Sequence, residues 1–162
     1  MMIAILDLAA LFLVVATVIP SAAHALEWPG KRRLTREQYV AVHPIYYPGF
    51  TMIGIAEPLA ILALAVLLAS TPRGMTAFYL IGAALAACVA THAIYWTMTA
   101  PVNKVWLRNE ALSGGAQRFF GAGGSVDATD WTLLRDRWER SHLCRAASSL
   151  IAFVLLSAAL VV

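Results

Sequence analysis

A chain of 162 residues that is 60% apolar and only 13% charged carries about half the charge of a soluble domain, for which ~25% is usual. With a mean hydropathy of +0.73, it reads as one membrane domain. The net charge of +3 does not signal nucleic acid, because the basic residues fall between apolar runs, where they set orientation, and form no binding stripe.

The first apolar run, about residues 3–25, is broken by Asp7 and Thr17 and ends in Ser21-Ala22-Ala23-His24-Ala25. Small residues at its end suit a cleaved leader. No Lys or Arg precedes the run, however, and Asp7 lies within it, so it reads as a retained span. Residues 26–49 form a loop, opened by the turn signal Trp28-Pro29-Gly30 and the basic cluster Lys31-Arg32-Arg33. Thr35-x-x-Gln38 is a capping box for a short helix to about Val42. His43-Pro44 breaks that helix, and Tyr46 and Tyr47 suit an interface where the ring is buried and the hydroxyl wet.

The second span, about residues 50–71, holds Glu57-Pro58. Pro72-Arg73-Gly74 allows only a tight turn, so the third span, about 75–100, is an antiparallel neighbour. Thr91, His92, Tyr95, Trp96 and Thr99 lie in its second half, and Asn103, Lys104 and Trp106 continue the helix past Pro101. In the loop 101–141, glycines between Ser113 and Ser125 mark a hinge around Gln117-Arg118-Phe119-Phe120. Asp127, Thr129 and Asp130 supply cap and first-turn groups for a last helix, about Asp130 to Val161. At 1.5 Å per residue that helix is on the order of 48 Å long, against a ~30 Å bilayer core. Its membrane part is therefore about 142–162, and its polar first part projects. Cys88 and Cys144 fall at different depths and have no metal-ligand spacing, which argues against a disulfide.

Lys31, Arg32, Arg33 and Arg36 lie in the first loop. Lys104, Arg108, Arg118, Arg135, Arg137, Arg140 and Arg145 precede or open the last span, and Arg73 is alone in the short turn. The positive-inside rule then predicts both basic regions in the cytoplasm and both termini outside, in the cell inner (plasma) membrane. The expected fold class is all-α: a polytopic membrane four-helix bundle whose last helix extends beyond the membrane on the cytoplasmic side.

Glu57 and His92 both fall about 12 Å from the cytoplasmic end of their spans. An unpaired charge in hydrocarbon is costly, so both are expected to face the interior and pair. Trp131, Leu134, Trp138, His142, Arg145 and Ser149 share one face of the last helix. Each feature also has a plain reading. Tryptophans at this level anchor helices at the interface. Arg135/Glu139 and Asp136/Arg140 read as surface i,i+4 ion pairs. Glu57 serves backbone freed by Pro58, His92 is a satisfied interior histidine, His24 is interfacial, and His43 is a turn residue. A metal set of His43, His92, His142 and Glu57 is conceivable, but no two of these have the i,i+3 or i,i+4 spacing of a helical metal motif, so no metal is expected. No haem-attachment, phosphate-loop or Ser-His-Asp signature is present, and no cofactor is expected.

Pro101-Val102-Asn103-Lys104-Val105-Trp106, then Trp131-Thr132-Leu133-Leu134-Arg135-Asp136-Arg137-Trp138-Glu139-Arg140-Ser141-His142 with Arg145, resemble the anthrone oxygenase-like family of small four-helix membrane proteins. The resemblance runs from roughly Met75 to Val162. It implies a four-helix bundle and oxidation of anthrones to anthraquinones without an evident cofactor. Asn103, Trp138, His142 and Arg145 match its pattern, whereas His92 and Glu57 come from the depth argument. The candidate catalytic residues are His142, His92, Glu57 and Arg145: a histidine as base, with Arg145 or Asn103 stabilising an oxyanion. Asn103, Trp96, Trp138 and Tyr95 are candidate substrate-binding residues, the rings stacking on a flat molecule. The alternative is a non-enzymatic membrane protein binding lipid or a partner subunit. Transport is the weaker third, since no inverted repeat is visible. Expected partners are membrane lipid, a hydrophobic small molecule and a second copy of the chain, with no nucleic acid. Convergence of Glu57, His92 and His142 on an aromatic-lined cavity separates chemistry from structure.

Overall fold

The computed structural model describes residues 2–106 and 131–162. The glycine-rich hinge and the caps expected at Asp127, Thr129 and Asp130 lie outside the described residues. Four helices are long and apolar enough to cross a membrane, so the chain is an all-α, multi-pass membrane bundle.

Helix α1 runs Met2–Lys31, past the expected loop start and through Trp28-Pro29-Gly30. The turn expected there is helical. Pro29 forfeits one backbone donor, but the ladder resumes at once, with the Arg32 N–H donating to the Trp28 carbonyl at 3.1 Å. Side-chain bonds at Lys31, described below, hold the extra turn. Helix α2, Arg36–Val42, starts at the expected capping box. The Gln38 N–H donates to Thr35 Oγ1 at 3.3 Å, and the Thr35 N–H donates to Gln38 Oε1 at 3.0 Å. A 3-10 turn over His43–Tyr46 and the short α3, Gly49–Ile53, lead into α4, Ala56–Ser70. The connection to α5, Thr76–Ile94, passes through Gly74 at φ +92°, a left-handed conformation that glycine adopts without steric cost.

Past Ile94 the helix widens into a π turn over Tyr95–Thr99 and continues as α6, Ala100–Trp106. Pro101 explains the irregularity: it cannot donate to the Thr97 carbonyl four residues back. Arg137 fills the vacancy from another helix, its Nη2 donating to that carbonyl at 2.8 Å. Helix α7 spans Trp131–Ala159, about 44 Å at 1.5 Å per residue, and so outruns a bilayer core.

In the bundle α1 packs against α4 and α7, and α5 packs against the same two. Ala10, Ala60, Ala84 and Ala152 are fully buried beside Val14, Leu64 and Leu156. Small side chains at the contacts let helices approach closely, which matters in lipid, where burying apolar surface gives little drive. Phe12, Leu62, Tyr79 and Val154 point outward, as a lipid-facing surface requires. Hydroxyls tie α5 and its π turn to α7: Ser148 Oγ donates to the Ala87 carbonyl (2.8 Å), and Thr99 Oγ1 bonds Ser141 Oγ (2.8 Å).

Candidate functional site

Glu57 and His92 meet as the depth argument expects. His92 Nδ1 lies 3.1 Å from Glu57 Oε2, and Arg145 Nη2 donates to Glu57 Oε1. Trp96 Nε1–H donates to His92 Nε2 at 2.8 Å. Since Nε2 accepts, neutral His92 carries its proton on Nδ1 and gives it to the carboxylate. The Arg145 guanidinium lies over the Tyr95 ring, 5.2 Å from its centroid. A carboxylate on α4 is thus clamped by a cation on α7 and an imidazole on α5, which satisfies the demand that charge at this depth be paired. The reading that Glu57 serves only backbone near Pro58 is set aside by these partners.

His142 belongs to a second, adjoining centre. It is buried among rings, with centroids 4.1 Å from both Trp138 and His24. Tyr46 and Phe50 close on His24 at 4.4 and 4.8 Å, and His43 lies 4.9 Å from Trp138. Trp138 is 3% exposed, so it is an interior residue and not an interfacial anchor. Its Nε1–H donates to Asn103 Oδ1 at 2.8 Å, which fixes the indole and occupies the Asn103 oxygen. Among the described residues neither ring nitrogen of His142, both buried, has a hydrogen-bond partner. Glu57, His92 and Arg145 therefore converge, while His142, one turn before Arg145 on α7, faces the aromatic nest.

His24, Glu27, Lys31, Tyr39, Tyr46 and Glu139 belong to this second centre and are not among the site residues expected from the sequence. His24 is 4% exposed and is not interfacial. Lys31 Nζ lies 3.2 Å from His24 Nδ1, 2.8 Å from Glu27 Oε2 and 3.9 Å from Glu139 Oε1. Glu139 is 2% exposed and accepts from Tyr39 Oη at 2.6 Å. The expected Arg135/Glu139 surface pair is not formed; Arg135 bonds its neighbour Asp136 at 2.8 Å. Burial, then the Glu139 carboxylate, pushes the Tyr39 hydroxyl's pKa well up and keeps it a donor. Tyr46 is raised by burial and by its bond to Glu27, 2.7 Å away. The available signal was the spacing of His24, Glu27 and Lys31, which share one helical stripe once α1 is allowed to continue.

His43 makes a bond to the Tyr39 backbone that favours its charged form, but burial outweighs it and lowers its pKa from 6.5 to about 4. An unfolded chain then binds the extra proton between those values. The stabilisation is fully present above pH 6.5 and is lost as pH falls toward 4, by up to about 3 kcal/mol. Thermal unfolding in detergent across this range is expected to show a falling Tm that His43→Phe flattens; an unchanged acid limb in that variant would remove His43 as its source.

Among the described residues no three His, Cys, Asp or Glu side chains gather as a metal set. His43 and His142 lie in the aromatic nest, while His92 and Glu57 lie in the ionic clamp. Four apolar spans that gather Glu57, His92 and Arg145 into one ionic cluster, with His24 and His142 buried beside it among tilted aromatic rings, define a polytopic membrane protein with a polar centre inside the bundle. The family model described as Anthrone oxygenase matches residues 42–155, and the chain belongs to that family. Comparison with curated proteins and with solved structures finds no match. The matched stretch includes Glu57, His92, Asn103, Trp138, His142 and Arg145 and leaves out His24, Lys31 and Tyr39.

Proposed function

We propose that the chain binds and oxidises a flat, apolar, phenolic or quinone-like molecule of the anthrone type inside the bundle, with O₂ as oxidant. The observation that carries this reading is His142. A neutral imidazole needs one donor partner and one acceptor partner, and among the described residues both nitrogens are buried without either, against the tilted ring of Trp138. A ligand bearing an acidic proton and an oxygen meets both needs.

His142 takes a proton from the activated methylene or its phenolic tautomer. Arg145, held by Glu57, balances negative charge as the electron-rich anion forms. The anion passes an electron to O₂ and the radical pair recombines as a peroxide anion, which takes the proton back from His142 and, as the hydroperoxide, loses water to leave the carbonyl. One CH₂ and one O₂ become one C=O and one H₂O. Trp138 and Tyr95 supply faces for a planar substrate. Glu57, His92 and Trp96 act on Arg145 and its surroundings, and Asn103 positions Trp138. The basic loops lie in the cytoplasm and both termini outside, in the inner membrane, as the charge distribution supports. A second copy of the chain is a further candidate partner.

Purified protein in nanodiscs, given an anthrone under ¹⁸O₂, is expected to yield the quinone with one labelled oxygen while consuming one O₂ per product. Turnover no faster than buffer, or label drawn from water, would remove the assignment. The second reading, a non-enzymatic binder of lipid or of a partner subunit, is favoured by the closed Glu57–His92–Trp96 network, whose bonds hold without a substrate.

A further inference from the structure

Lys31 ends a membrane-spanning helix yet is only 6% exposed, and lysine is almost never that buried unless paired. Its partners exceed what charge neutralisation needs. Glu27 at 2.8 Å supplies the counter-charge, with Glu139 farther off at 3.9 Å. The ammonium also sits 4.9 and 4.8 Å from the ring centroids of Tyr46 and Trp138. The remaining close contact is to His24 Nδ1, at 3.2 Å. An ammonium has three donors and no acceptor. That contact is a hydrogen bond only if Nδ1 offers its lone pair, and Glu27 Oε2, 3.6 Å from the same nitrogen, lies beyond hydrogen-bond reach, so the closer ammonium sets neutral His24 with its proton on Nε2. His24 packs against His142, tilted by 45° with the ring centroids 4.1 Å apart, and among the described residues no bond holds the tautomer of His142.

We infer that Lys31 is a positioning residue that fixes His24 as the Nε2–H tautomer, so that of the two adjoining imidazoles His142 is the one left to accept a proton. The assignment to a proton acceptor rests on the reading of His142 as the base; the tautomer itself does not. It also gives α1, outside the stretch matched by the family model, a part in the site. His24 Nδ1 is closed by the ammonium, and the lone pair of His142 is not. A substrate proton therefore has one destination in the pair.

Nitrogen-15 NMR of ring-labelled histidines at pH 8, with the His24 signals assigned by their loss in His24→Phe, reads the tautomer directly. Wild-type protein is expected to show His24 with a protonated Nε2 and a bare Nδ1. Lys31→Arg, which keeps a donor, retains that signature, whereas Lys31→Met gives mixed or reversed tautomers. Oxidation of an anthrone by Lys31→Met should fall by about a hundredfold, with the larger part restored in Lys31→Arg. A wild-type His24 protonated on Nδ1 overturns the inference even if Lys31→Met does not fold, and so does an unchanged His24 spectrum in a folded Lys31→Met. If the tautomer is as expected but wild-type protein oxidises nothing, the proposed function fails and the Lys31 assignment stands.

Discussion

Arg145→Met is expected to destabilise the bundle by about 3–5 kcal/mol, the cost of leaving a buried charge without its partner. Arg145 is 8% exposed and Glu57 6%, and the two are directly hydrogen-bonded. With the guanidinium gone, the Glu57 carboxylate keeps, among the described residues, the bond to His92 at 3.1 Å, at a depth where lipid and apolar side chains offer no donor in its place. Glu57→Leu alone strands the cation, whose Nε already lacks a partner among the described residues. The double variant Glu57→Leu/Arg145→Met removes both charges and is expected to recover most of the loss, since a buried ion pair replaced by apolar groups is often neutral. Thermal unfolding of the four proteins in one detergent gives the coupling energy. A single variant within about 1 kcal/mol of wild type would mean that the pair is solvated or absent.

The part of this site that could be read from sequence is the part where cost forces a partner. Glu57 and His92 are ionisable groups in apolar runs, the runs are antiparallel, and 1.5 Å per residue sets their depths. Their meeting follows almost from arithmetic. The inward stripe of α7 was equally legible from its 3.6-residue period, and Leu134, Trp138, His142, Arg145 and Ser149 are all buried on it. Glu139 was not legible. Its spacing from Arg135 suggests a surface pair, but its partner is Tyr39, one hundred residues away, and local spacing carries no information about that. His24 and Lys31 were hidden by Pro29-Gly30, which reads as the end of a helix that in fact continues. The π turn was hidden too, because one widened turn shifts the register of the stripe beyond it. Pro101 signals a disturbance but does not say which carbonyl is freed or that Arg137 reaches it.

His142→Phe is expected to separate chemistry from folding. The phenyl ring keeps the stacking surface against Trp138 and His24, both 4.1 Å away in the native protein. It also removes two buried nitrogens that lack partners, each costing roughly 1–3 kcal/mol when left unsatisfied. Stability should therefore hold or rise, while oxidation of an anthrone falls by about 10²–10⁴-fold, the usual contribution of a general base. His92→Phe should behave in the opposite way. It breaks the bonds to Glu57 and Trp96 and lowers the unfolding midpoint, while the folded fraction keeps the larger part of its turnover. The comparison requires activity per folded molecule, measured beside the melting curve of the same sample. If His142→Phe turns over like wild type, the base lies elsewhere. His43, whose Nε2 is also buried without a partner among the described residues, is then the next imidazole to replace, because its ring lies 4.9 Å from the same Trp138. If instead His92→Phe is stable and inactive, the ionic clamp is the reacting centre and His142 belongs to its packing.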